Sequence, residues 1–144
     1  MTNRDTINLL KECNKGVKTA VTSFEEVFDN IGDNHLKEII KKSWEEHKKI
    51  GDQTHELLLQ HNEDDKEPSV MAKVMSWTKI NMKLMQDSSD KEVADLMTDG
   101  CNMGIKSLCK YRNQYKSADV QSVEIANYLI GQEHDLVIEL REFL

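Results

Sequence analysis

Four side chains with metal-binding or redox chemistry stand at related positions in this chain: Cys13, Cys101, His47 and His134. Thiolate sulfur and imidazole nitrogen together suit tetrahedral zinc or another borderline-to-soft metal. The cysteines open two near-identical words, CNKGVKT at 13–19 and CNMGIKS at 101–107, which share four identities and exchange Val for Ile and Thr for Ser. His47 follows Cys13 by 34 positions and His134 follows Cys101 by 33, each directly preceded by a glutamate, Glu46 and Glu133. Spacing repeated to within one residue points to an internal duplication.

The elements that must position these residues are helices. Apolar residues recur in steps of three and four along a first segment (Leu10, Cys13, Val17, Ala20, Phe24, Val27, Ile31) and a second (Leu36, Ile40, Ser43, His47, Ile50, Thr54, Leu57). Gly32-Asp33-Asn34 stops one helix and caps the next. After the polar break HNEDDKEP, Pro68 suits the first turn of a third helix, 68–87, with Met71, Met75, Met82 and Met85 on one stripe and Trp77 off it. Ser89 to Glu92 reads as a capping box opening a fourth helix, with Val93, Met97, Cys101, Gly104, Leu108 and Tyr111 in register. Ser117 is the expected cap of a fifth, whose expected seam runs Val120, Val123, Asn127, Ile130, His134, Val137, Arg141 and Leu144.

One all-α domain follows: a hairpin at 3–62, a crossover helix at 68–87 and a second hairpin at 89–144. A 20-residue helix rises about 30 Å, so a crossover of that length returns the chain to its starting end and sets the two hairpins about a pseudo-twofold axis. In its paired hairpins, long crossover and internal symmetry the chain resembles the ferritin-like superfamily, and within it small bacterial ferritin-like four-helix bundles of unassigned function. That resemblance implies an antiparallel four-helix bundle and raises the question of a di-iron centre. Such centres take Glu from two helices and Glu-x-x-His from each of the other two. Here the residues three before His47 and His134 are Trp44 and Gly131, and no acid lies on the first or fourth stripe at that level. The usual di-iron ligands are lost.

Two readings of the central cluster stay open. In the packing reading, Gly16 and Gly104 leave room for His47 and His134 across the bundle, the cysteines act as small hydrophobes, and Asn14 and Asn102 satisfy the imidazoles. In the other, Cys13, Cys101, His47 and His134 hold a single transition metal such as zinc or iron, or the thiols serve redox chemistry. The first predicts no cofactor and a non-enzymatic bundle that acts by binding or assembly, through an unknown protein partner or as a homodimer.

Composition narrows the partners. Lys and Arg number 19 against 26 Asp and Glu, a formal charge of −7, which disfavours nucleic acid and anionic membranes. No segment approaches the roughly 18 apolar residues of a membrane span. Three cysteines and an N-terminus with no long apolar run lead to the expectation of a reduced, cytoplasmic protein. Phosphate loops and nucleophile elbows need strand-to-helix turns, for which an all-helical pattern has no place.

Overall fold

Each long helix begins at a side chain that bonds the first free amides of its own backbone. Asn3 Oδ1 accepts from the Asp5 and Thr6 N–H groups and opens α1, Arg4–Phe28. Asp33 accepts from Leu36 N–H and opens α2, Asn34–Gln60. Ser89 accepts from Glu92 N–H at the start of α3, Asp90–Gln114, and Asp119 from Ser122 N–H at the start of α4, Val120–Leu140. A cap of this kind stabilises its helix by roughly 1 kcal/mol. The cap of α4 is therefore Asp119 and not Ser117, which bonds across to α1 instead.

The computed structural model describes residues 3–61 and 89–144. Among them the chain is all-helical, four long helices with a closing 3-10 turn at Arg141–Phe143. The crossover helix expected at 68–87, its methionine stripe and Trp77 lie outside the described residues.

Hydrogen bonds at both ends fix how the hairpins meet. At one end, Asn3 Nδ2 donates to the Ser117 carbonyl, Ser117 N–H donates to Asp5 Oδ2 at 2.9 Å, and Asp119 N–H donates to Thr6 Oγ1 at 2.8 Å. The start of α1 therefore sits beside the α3–α4 turn. At the other end, the Gly32 and Asp33 N–H groups donate to the two carboxylate oxygens of Asp90 at 2.8 and 3.0 Å, placing the α1–α2 turn beside the start of α3. It follows that α1 runs parallel to α4 and α2 parallel to α3, while each hairpin is antiparallel within itself. The end of α2 and the start of α3 lie at opposite ends of the bundle. Between the hairpins, α1 packs on α3 and α4, and α2 packs on α4.

Among the described residues the interior divides into two apolar clusters. One joins Phe24, Val27, Leu36, Ile40, Met97 and Leu140 near the α1–α2 turn, and the other joins Ile7, Leu10, Val17, Leu58, Leu108 and Leu129 near the start of α1. Between them every helix carries a small or polar residue: Thr22 and Ser23 on α1, Ser43 and His47 on α2, Gly104 on α3, Glu133 on α4. The bundle has a polar waist.

Candidate functional site

The waist holds two buried ionisable groups, one from each hairpin. His47 on α2 is 1% exposed and Glu133 on α4 is 8% exposed. His47 Nδ1 stands 2.8 Å from the Ser43 carbonyl oxygen. A carbonyl can only accept, so Nδ1 carries the proton and Nε2 the lone pair. That Nε2 is buried with no hydrogen-bond partner among the described residues. Burial holds the imidazole below its usual pKa, against the opposing pull of the Ser43 carbonyl and Glu46. Its ring meets Phe24 edge-on, with centroids 5.2 Å apart.

Glu133 is the residue the sequence pattern misplaced. The expected α4 seam through His134 is corrected by the structure: His134, Asn127, Val120 and Arg141 are exposed, and the buried stripe is Ser122, Ile125, Ala126, Leu129, Glu133, Leu136 and Leu140. The shift of one residue turns the helix by about 100°. It exchanges an inward imidazole for an inward carboxyl. A Cβ built on Gly104 would stand 2.5 and 2.7 Å from the two Glu133 carboxyl oxygens. Glycine does open space for a side chain from the facing helix, but the side chain is Glu133 and not His134. Among the described residues Glu133 Oε2 has no hydrogen-bond partner, and burial pushes the acid up to about pKa 8. At neutral pH it is mostly a neutral carboxylic acid.

The other expected neighbours also separate. Gly16 is not opposite His47. Thr54 Oγ1 donates to Asn14 Oδ1 at 2.8 Å, and a Cβ on Gly51 would lie 3.0 Å from Val17 Cγ1, so this part of α1 meets α2 at residues 51–54. Asn14 thus pairs with Thr54, and Asn102 is exposed. Cys13 belongs to the apolar cluster near the start of α1 and Cys101 to the one near the α1–α2 turn. Burial pushes each thiol up to about pKa 12, with Glu12 adding to the rise at Cys13 and Glu133 at Cys101. Both are free and held as thiols. With His134 outside, the four expected donors do not converge. Among the described residues no three His, Cys, Asp or Glu side chains come together as a metal site.

The repeated words do converge, on a different feature. An open groove of about 410 Å³ runs between α1 and α3. Lys15, Gly16 and Thr19 line one side, and Met103, Gly104 and Ser107 the other. These are the third, fourth and seventh letters of CNKGVKT and CNMGIKS. Glu133 forms part of the lining, and Ala20, Leu108 and Tyr111 supply apolar wall. At the rim, the Lys15 ammonium lies 3.7 Å from Glu12. The groove can therefore offer a carboxyl oxygen to a donor and apolar surface to the body that carries it.

A signal for Glu133 was present in the sequence. Ile125, Leu129, Leu136 and Leu140 form an aliphatic stripe with Glu133 in register, steeper in hydrophobicity than the stripe through Asn127, His134 and Arg141. Comparison of the chain with known protein families, with characterised proteins and with solved structures finds no match.

Proposed function

We propose that this chain is a non-enzymatic binding protein on a ferritin-like, internally duplicated bundle, with the α1–α3 groove as its binding site. One observation carries the reading: an open cleft lined in part by the buried Glu133, one of whose carboxyl oxygens has no partner among the described residues. Leaving such an oxygen unpaired costs about 1–3 kcal/mol, a cost that a bound donor recovers. Duplication is supported by the equivalent letters of the two words facing each other across the groove. The ferritin-like assignment is supported by the path of the chain, in which α1 opposes α3 and α2 opposes α4 as a twofold axis across the bundle requires. Catalysis draws no support from Cys13 and Cys101, which are buried, held protonated and outside the groove lining, and the half-buried Cys109 is not in that lining either.

A cytoplasmic setting fits the free thiols. Among the described residues no helix is long and apolar enough to cross a membrane. The second reading, a zinc, iron or thiol-redox protein using Cys13, Cys101, His47 and His134, requires α4 to turn His134 inward. It predicts stoichiometric metal in protein purified without added metal, lost in a Cys13→Ala, Cys101→Ala variant.

The binding reading is tested by a small-fragment panel on ¹⁵N-labelled protein. Saturable amide shifts are expected at Gly16, Thr19, Gly104 and Ser107. Among the described residues a Cβ on Gly16 meets nothing within 4 Å, so Gly16→Leu places its side chain from an open position in the groove lining and should abolish those shifts. Shifts that survive Gly16→Leu, or that gather elsewhere, overturn the assignment of the groove.

A further inference from the structure

The chemistry of the groove lining restricts what fits it. Glu133 Oε2 is the deep polar atom, buried and without a partner among the described residues. Once ionised, the carboxyl can only accept, so a ligand that draws it into that form presents a donor, and a charged donor bonds roughly twice as strongly as a neutral one. The fixed charges lining the groove are Glu12 and Lys15, and Glu133 adds a third when it ionises. Lys15 already lies beside Glu12, which leaves the Glu133 carboxyl as the group whose charge a ligand would balance. The walls away from it are Ala20, Leu108 and the Tyr111 ring, a surface for hydrocarbon. Gly16 and Gly104 remove two side chains from the passage between the helices.

We infer that the α1–α3 groove binds a small organic ammonium ion, with its nitrogen donating to the Glu133 carboxyl and its apolar body lying along Ala20, Leu108 and Tyr111. This rests on the groove being a binding site and adds the class of ligand. As the ammonium docks, the acid gives its proton to solvent and the ion pair forms in a partly desolvated site, where it is stronger than in water. The acidic chain, at a formal −7, favours approach of a cation. A neutral ligand of the same shape gains the apolar contact and at best one neutral hydrogen bond.

The test uses hexylammonium chloride and hexanol as matched probes, titrated into the ¹⁵N-labelled full chain at constant ionic strength. Hexylammonium is expected to give saturable shifts at Gly16, Thr19, Gly104 and Ser107, with hexanol at least tenfold weaker. Glu133→Gln, which keeps the shape and removes the ionisable oxygen, should weaken hexylammonium at least tenfold and leave hexanol unchanged. Equal binding of the two probes, or an unchanged Glu133→Gln affinity, overturns the ammonium assignment while the groove itself stands. Saturation by neither probe overturns the ammonium assignment, and a blank fragment panel as well would remove the groove. If Glu133→Gln does not fold, Gly16→Leu decides: hexylammonium binding that persists in it places the ion outside the groove.

Discussion

Gly16 and Gly104 occupy the same letter of the repeated word, yet a methyl group added at each meets opposite surroundings. At Gly16 the added Cβ finds open space, so Gly16→Ala should stabilise the protein by about 0.5–1 kcal/mol through lower backbone entropy of the unfolded chain. A measured loss would mean that the groove is closed in solution. At Gly104 the Cβ collides with the Glu133 carboxyl, the far end of a flexible side chain. Gly104→Ala should therefore push that carboxyl toward water, and its pKa should fall from about 8 toward the ordinary 4.5. Carboxyl ¹³C titration by NMR reads this directly, and an unmoved value would show that the acid does not lie over Gly104. The sequence spelled out both glycines and marked them as places where helices approach. It could not say which side chain fills the space, because that depends on the rotation of the facing helix.

Helix rotation is legible where one stripe is clearly apolar. On α1 and α2 the predicted residues Leu10, Cys13, Val17, Phe24, Leu36, Ile40 and His47 are all buried. On α4 the pattern is ambiguous, since Val123, Ile130 and Val137 compete with Ile125, Leu129 and Leu136, and the parallel with His47 pulled the choice to the stripe through His134. The level of α1 against α2, set by contacts such as Asn14 with Thr54, was also illegible, because it depends on the path of the turn between the helices. The element ends are different again: capping side chains reach across hairpins, as Asp90 does at the start of α3. Asp90→Ala removes the acceptor of both the Gly32 and Asp33 N–H groups. A loss of about 1–2 kcal/mol is expected for these charge-assisted bonds at a half-exposed site, measured by urea unfolding. Thr6→Val, which strips the acceptor from Asp119 N–H at the opposite end, should add to it independently. A loss below a few tenths of a kcal/mol in Asp90→Ala would mean that water replaces the contact.

Across the whole molecule, two tied ends and two apolar clusters enclose a waist whose buried acid and base oppose each other in pH dependence. Glu133 has a raised folded pKa, so its contribution is fully present below about 4.5 and is lost as pH rises to about 8. His47 has a lowered one, so its contribution is present above 6.5 and is lost as pH falls. Just below pH 6.5 the two slopes oppose each other. Above 6.5 the Glu133 slope stands alone, at about 1.4 kcal/mol per pH unit. Urea unfolding should show a fall of roughly 2 kcal/mol between pH 6.5 and pH 8. Glu133→Gln should remove the fall. A parent protein whose stability is flat from 6.5 to 8 would show that the acid is solvated. The same carboxyl alters the molecule's electrical identity. The formal −7 counts every acid as ionised, but at pH 7 the unfolded chain must draw a proton from the buffer to place Glu133 in the waist. The folded protein is thus one negative charge short of its sequence, and a ligand that ionises Glu133 returns that charge to the bundle.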